Sequence, residues 1–130
     1  MQYLNSQNFK NMSKQFAIAV PILKGKTEQW KNFSNELKTT YNKEFNESRK
    51  KFGVQERSYF QSTLQGDLVV LTLEGKDPQD AFLQLGRGID EFSKWFNTQV
   101  KEIHGFDMTL KPTSALPELI LETKSITEYA

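Results

Sequence analysis

One imidazole and one strand row carry most of the chemistry this sequence offers. His104 is the only histidine of the chain. Imidazole is the one side chain whose unperturbed pKa lies near neutrality. It stands in EIHG, at the end of a helical pattern, where it suits a general base or an axial ligand to haem. It equally suits a helix-terminal residue whose charged form the dipole favours. Arg57, Tyr59 and Gln61 alternate along an expected strand, and a period of two puts their side chains on one sheet face. Facing an enclosed space, they supply a cation, a phenol and an amide to a largely apolar pocket. Facing outward, they form a polar strand face or part of a subunit contact. Tyr41 and Glu44, on a preceding helix, are placed to approach the same row.

The rest of the inventory excludes more than it offers. There is no cysteine, so disulfides, thiolate metal sites and cysteine nucleophiles are absent. A single histidine rules out multi-histidine metal sites within one chain. Lys plus Arg number 17 against 16 Asp plus Glu, a net charge of +1 that argues against a dedicated nucleic-acid binder. LGRG at 85–88 lacks the third glycine of a dinucleotide fingerprint and follows a helix instead of a strand. No phosphate loop, nucleophile elbow or convincingly placed carboxylate pair occurs. The expectation is therefore of no metal and no cofactor.

The 130 residues form one domain's worth of chain, with 37% hydrophobic and 12% aromatic residues to build a core. The polar, Asn-rich residues 1–14 read as a flexible N-terminal arm, 15–112 as the folded domain, and 113–130 as a tail. The longest apolar run, FAIAVPIL at 16–23, is far short of the roughly 20 residues needed to span a bilayer. The opening residues lack a signal-peptide core, so the expectation is a cytoplasmic protein without membrane contact.

The elements that position the candidates follow from periodicity. Residues 15–23 alternate with apolar side chains on both faces, predicting a central strand, and Pro21 suits its end. Thr27 is a plausible N-cap for a helix over 27–51, carried by a stripe of Trp30, Phe33, Leu37, Tyr41, Phe45 and Phe52. Gly53 stops it, and SRKK at 48–51 reads as a solvated basic helix end. Residues 54–63 and 68–73 form an antiparallel hairpin around Gln65-Gly66-Asp67. Asp77 and Pro78 open a short helix that Gly86 and Gly88 break. A second helical piece from Asp90 presents Phe92, Trp95, Phe96, Val100 and Ile103, and ends at Gly105. Phe106, Met108 and Leu110 alternate as a final strand, and the apolar run 116–121 suggests an extra edge strand. Aromatics at helical spacing are expected to pack against the sheet.

This order is that of an α+β, ferredoxin-like βαββαβ domain, with a four-stranded antiparallel sheet and its helices on one face. Apolar residues on both sides of the inner strands demand a cover for the other face. A second copy packed sheet to sheet is the simplest cover, which predicts a homodimer.

VPILKGKTEQW, the helix ending SRKKFGV, the hairpin TLQGDLVVLTLEGKDP and the helix WFNTQVKEIHGFDM together resemble the dimeric α/β-barrel superfamily over about residues 15–110. Closest in feel is an uncharacterised bacterial branch related to the stress-responsive barrel proteins and the antibiotic-biosynthesis monooxygenases. The resemblance implies a dimeric barrel, while its members perform unrelated chemistry. Haem-degrading relatives use Asn, Trp and His. This chain offers Trp95 and His104, but its first strand has no Asn.

The expected function is a homodimeric protein binding a small, partly apolar or aromatic molecule between sheet and helices. Arg57, Tyr59, Gln61, Tyr41 and Trp95 are the candidate binding residues, with His104 the candidate catalytic group. Alternatives are a cofactor-independent monooxygenase of the antibiotic-biosynthesis type and a non-catalytic, stress-associated structural module.

Overall fold

A computed structural model describes residues 13–129. The expected arm, 1–14, lies outside them except for its last two residues. In chain order the elements are β1 (Lys14–Pro21), α1 (Thr27–Lys38), α2 (Asn42–Lys51), β2 (Val54–Thr63), β3 (Gly66–Gly75), α3 (Pro78–Leu85), α4 (Glu91–His104) and a closing 3-10 turn (Ile126–Tyr129). The architecture is α+β. A three-stranded antiparallel sheet in the order β1-β3-β2 carries the helices on one face.

The hairpin forms as its pattern predicts, with Val54 opposite Gly75 and Thr63 opposite Gly66. Strand β3 is central, in keeping with its continuous run of Leu and Val. Strand β1 is at an edge, not at the centre. Its second apolar face consists of Ala17, Ala19 and Pro21, all exposed. Small side chains and an edge position also let Pro21 go without its ladder donor.

The register sorts the side chains into two faces. Phe16, Ile18 and Val20 of β1, Val69, Leu71 and Leu73 of β3, and Val54, Glu56 and Ser58 of β2 face the helices. One core cluster joins Ile22 and Val69 to Phe33 and Leu37 of α1 and to Phe92, Phe96, Val100 and Ile103 of α4. The other joins Phe16, Val54 and Leu73 to Ala81 and Phe82 of α3. The opposite sheet face presents Ala17, Ala19, Pro21, Leu68, Val70 and Tyr59, none of them buried.

The expected single helix over 27–51 is two helices, broken at residues 39–41. Thr39, Thr40 and Tyr41 are weak helix formers. Thr39 Oγ1 donates to the Asn35 carbonyl at 2.8 Å, the local bond with which threonine competes against helical geometry. Asn42 Nδ2 donates to the Leu37 carbonyl at 3.3 Å, so a side chain satisfies an end that the broken ladder leaves open. Lys26, not Thr27, is the N-cap of α1. Thr27 Oγ1 instead donates to Asp67 Oδ2 at 2.6 Å, tying the helix start to the hairpin. That bond, followed by one from Ser62 Oγ, lowers the carboxyl pKa of Asp67. Helix α3 has the expected cap, Asp77 accepting from the Asp80 amide, and α4, expected to begin at about Asp90, is capped by that residue accepting from the Ser93 amide.

The expected fourth strand is a turn. Asp107 Oδ1 accepts from the Thr109 amide at 2.9 Å and from its hydroxyl at 2.5 Å, which curls the chain locally. Phe106 and Met108 both pack against the core clusters instead of alternating between two faces. Residues 116–121 have no ladder partner among the described residues, and Leu119, Ile120 and Leu121 are exposed. No helix among the described residues is long and apolar enough to cross a membrane.

Candidate functional site

The site starts from a cation where none belongs. Arg49 lies in the third turn of α2 and is 6% exposed. Its Nε donates to Glu56 Oε1 at 2.7 Å, and both side chains are almost fully buried. Seven residues separate the pair in sequence. The tight reversal at Phe52 and Gly53 folds β2 back under α2, and Glu56 falls on the strand's helix-facing row. The guanidinium carbon lies 4.8 Å from the Phe45 ring centre and 4.6 Å from that of Phe96. Those contacts combine cation–π attraction with steric confinement of the guanidinium plane. Nη1 donates to Ser48 Oγ at 2.9 Å. Nη2 is buried with no hydrogen-bond partner among the described residues. A buried donor without an acceptor costs about 1–3 kcal/mol, more when charged.

Beside this group a cavity of about 340 Å³ opens between sheet and helices. Val69, Leu71, Phe33, Leu37 and Phe96 give it apolar walls. Arg49, Glu56, Ser34, Ser58, Lys38 and His104 are its principal polar lining. Its size is near the lower end for small-molecule sites, and its pattern of greasy walls with few polar groups is theirs.

His104 closes α4 and is half-buried. Its Nδ1 lies 2.8 Å from the Pro21 carbonyl. A carbonyl only accepts, so Nδ1 carries the proton and Nε2 is left as a bare acceptor in the neutral ring. Burial lowers the His104 pKa below the ordinary imidazole value, and the bond to Pro21 opposes this only in part. A second tie runs beside it, from the Leu23 amide to the Ile103 carbonyl at 2.8 Å. His104 thus anchors the end of β1 to the end of α4 as well as lining the cavity.

Of the six residues singled out from sequence, only His104 lines this cavity. Arg57, Tyr59 and Gln61 do share a face, but it is the one turned away from the helices. Arg57 is held there by Glu74 Oε1 at 3.2 Å and Gln55 Oε1 at 2.8 Å. Tyr41 stacks on Trp95 with ring centres 4.1 Å apart, on the outside of the core. Trp95 and His104 stand nine residues apart on α4, roughly 13 Å along the axis and on opposite sides. They are therefore not assembled around one ligand.

Sequence reasoning missed Arg49, Glu56 and Ser58. SRKK was expected to be solvated throughout, yet Arg49 is buried while Lys50 and Lys51 are exposed. A usable signal existed in the strand. Glu56 sits in phase with Val54 and Phe60, and a carboxylate on a strand's apolar row calls for a buried cation.

Among the described residues, no group of three or more His, Cys, Asp or Glu side chains is placed to hold a metal ion. Comparison of the chain with protein-family models, curated proteins and solved structures yields no match.

Proposed function

We propose that this chain works as a homodimer that binds a small, partly apolar molecule between its sheet and helices. The observation that carries this reading is the cavity of about 340 Å³ beside an unpartnered Arg49 Nη2. A protein that needed only a packed core would gain stability by filling that volume. It would gain again by pairing or removing the donor. Dimerisation is supported by the bare face of Leu68, Val70, Ala17 and Ala19, a surface that invites burial. Among the described residues, the strand order leaves the outer edge of β1 unpaired. In the ferredoxin-like arrangement a fourth strand lies there, in line with the resemblance to dimeric α/β barrels.

The test is saturable uptake of small aromatic probes by the purified chain, followed by calorimetry and by the fluorescence of Trp30, which also lines the cavity. One site per chain is expected. Ser58→Phe, which fills the cavity from the strand side, abolishes uptake while the protein stays folded. Absence of saturable uptake across probes of one and two rings overturns the reading.

His104 favours a second reading. A neutral imidazole with a bare nitrogen at an apolar cavity is equipped to take a proton from a bound phenol. That fits a cofactor-independent monooxygenase acting on a quinol or polyphenol. Oxygen consumption that is present with such substrates and lost in His104→Gln supports it. Binding without turnover leaves the binder.

A further inference from the structure

We infer that the outer edge of β1 receives an extended, basic peptide, which docks as a fourth strand in the groove between β1 and the C-terminal tail. The inference uses neither the cavity nor the sheet face of the reading above. Three observations carry it.

The first is the backbone on the two walls. Strand β1 pairs with β3 on one side, and its other side is unpaired among the described residues. Ser13, Lys14, Gln15, Phe16 and Ala17 line the groove consecutively. Successive strand side chains point to opposite faces, so a consecutive run meets the groove with its edge. Lys14 and Pro21, residue types that blunt an edge, stand at the two ends of the strand, and the six residues between them carry no charge. The opposite wall is the tail, which runs from 115 to 125 without turn, bend or helix. No backbone–backbone hydrogen bond engages residues 111–124 among the described residues. An incoming strand therefore meets open donors and acceptors on both sides.

The second is the apolar lining. Phe16, Pro78 and Leu83 on one side and Leu119 and Ile120 on the other line a groove of about 1080 Å³. Leu119 and Ile120 are 72% and 80% exposed, an apolar surface of the kind that marks an interaction site. Leu116 packs against the core cluster around Phe16 and Phe82, which pins the tail beside β1.

The third is charge, which selects the occupant. Asp77, Asp80, Glu118 and Glu122 line the groove against a single cation, Lys14. Asp77 also caps α3, and no ion pair engages any of the five among the described residues. Four carboxylates against one ammonium draw in lysine and arginine and repel an acidic segment. The tail of a second copy is such a segment, since Glu118 and Glu122 have no cation between them. A basic peptide with alternate apolar residues satisfies edge, lining and charge together.

The experiment is fluorescence anisotropy on the full chain with labelled octapeptides, one alternating lysine with valine and one alternating glutamate with valine. The lysine peptide is expected to saturate at one per chain, and the glutamate peptide to bind at least about tenfold more weakly. N-methylation of the lysine peptide at alternate residues, which removes strand donors and keeps the charge, is expected to weaken it about tenfold or more. Asp80→Asn/Glu118→Gln, at exposed positions, is expected to weaken the lysine peptide about three- to tenfold. Equal affinity for the methylated and parent peptides overturns the inference and leaves a contact of charge alone. Absence of saturable binding by the wild-type chain overturns it and leaves the edge to residues 1–12. Sedimentation beside the titration covers the remaining occupant. Loss of a subunit on peptide addition assigns the edge to a second copy and overturns the inference as well.

Discussion

Arg49 Nε meets Glu56 Oε1 at 2.7 Å across the seam between α2 and β2, in a setting where neither side chain reaches solvent. A pair so placed is held by mutual need. Each charge has lost its hydration, and each is stabilised chiefly by the other. Removing one partner strands the second. Glu56→Met and Arg49→Met are each expected to lower stability by about 3–5 kcal/mol. The double replacement by methionine is expected to cost far less than the sum. Urea titrations of the four proteins close the cycle. Additive effects of the single changes contradict a coupled buried pair.

His104 gives the fold a defined response to acid. Its pKa is lowered by burial, so the folded protein resists protonation that the unfolded chain accepts. Below the unfolded value of roughly 6.5, the unfolded state binds more protons, and stability falls as pH falls toward the folded pKa. Above that window the contribution is fully present. Thermal unfolding between pH 7.5 and 5.5 is expected to show a loss of stability on acidification, and His104→Gln is expected to flatten it. Equal slopes for the two proteins rule out a buried neutral imidazole.

Much of this architecture is legible in residue order, because local chemistry and tertiary context agree. The hairpin, the Asp77 cap and the aromatic face of α4 each follow from short-range pattern. The misreadings share one cause. Periodicity reports which residues are apolar, not whether the backbone remains regular between them. Trp30, Phe33, Leu37, Tyr41 and Phe45 stay in helical phase across the break at 39–41, so the stripe conceals it. Phe106, Met108 and Leu110 alternate, yet the Asp107 side chain captures the Thr109 amide before a ladder can. The same limit hides the site. Strand alternation places Arg57, Tyr59 and Gln61 together, but the choice of face is made by Glu56, whose partner comes from a helix end that composition alone marks as solvated.

The bare sheet face makes a prediction about mass. Leu68 and Val70 lie at its centre, flanked through the register by Pro21 and Ala19 on one side and Gln61 and Tyr59 on the other. Sedimentation of the 15.1 kDa chain is expected to give a particle of twice that mass. Val70→Glu, which places an unpaired charge where two faces would meet, is expected to yield monomer with unchanged circular dichroism. A monomeric wild-type protein at micromolar concentration removes the case for sheet-to-sheet pairing.

Two glycines separate the effects of space and of backbone. At Gly105, φ is +70° and the residue is the left-handed cap of α4. At Gly86, φ is −77°, which any residue adopts, but an added Cβ would collide with the carbonyl of Met108. Gly105→Ala is therefore a matter of left-handed strain, expected to cost about 1–2 kcal/mol. Gly86→Ala is a matter of exclusion. Either α3 or the 106–110 turn must move, which adds overpacking of about 1–3 kcal/mol to whatever Phe106 and Met108 lose as they leave the core. Hydrogen exchange distinguishes the outcomes. In Gly86→Ala the Thr109 amide, held by Asp107, loses protection. In Gly105→Ala it keeps its protection and the last turn of α4 frays instead. Protection of Thr109 in both variants shows that the turn is held without the close approach at Gly86.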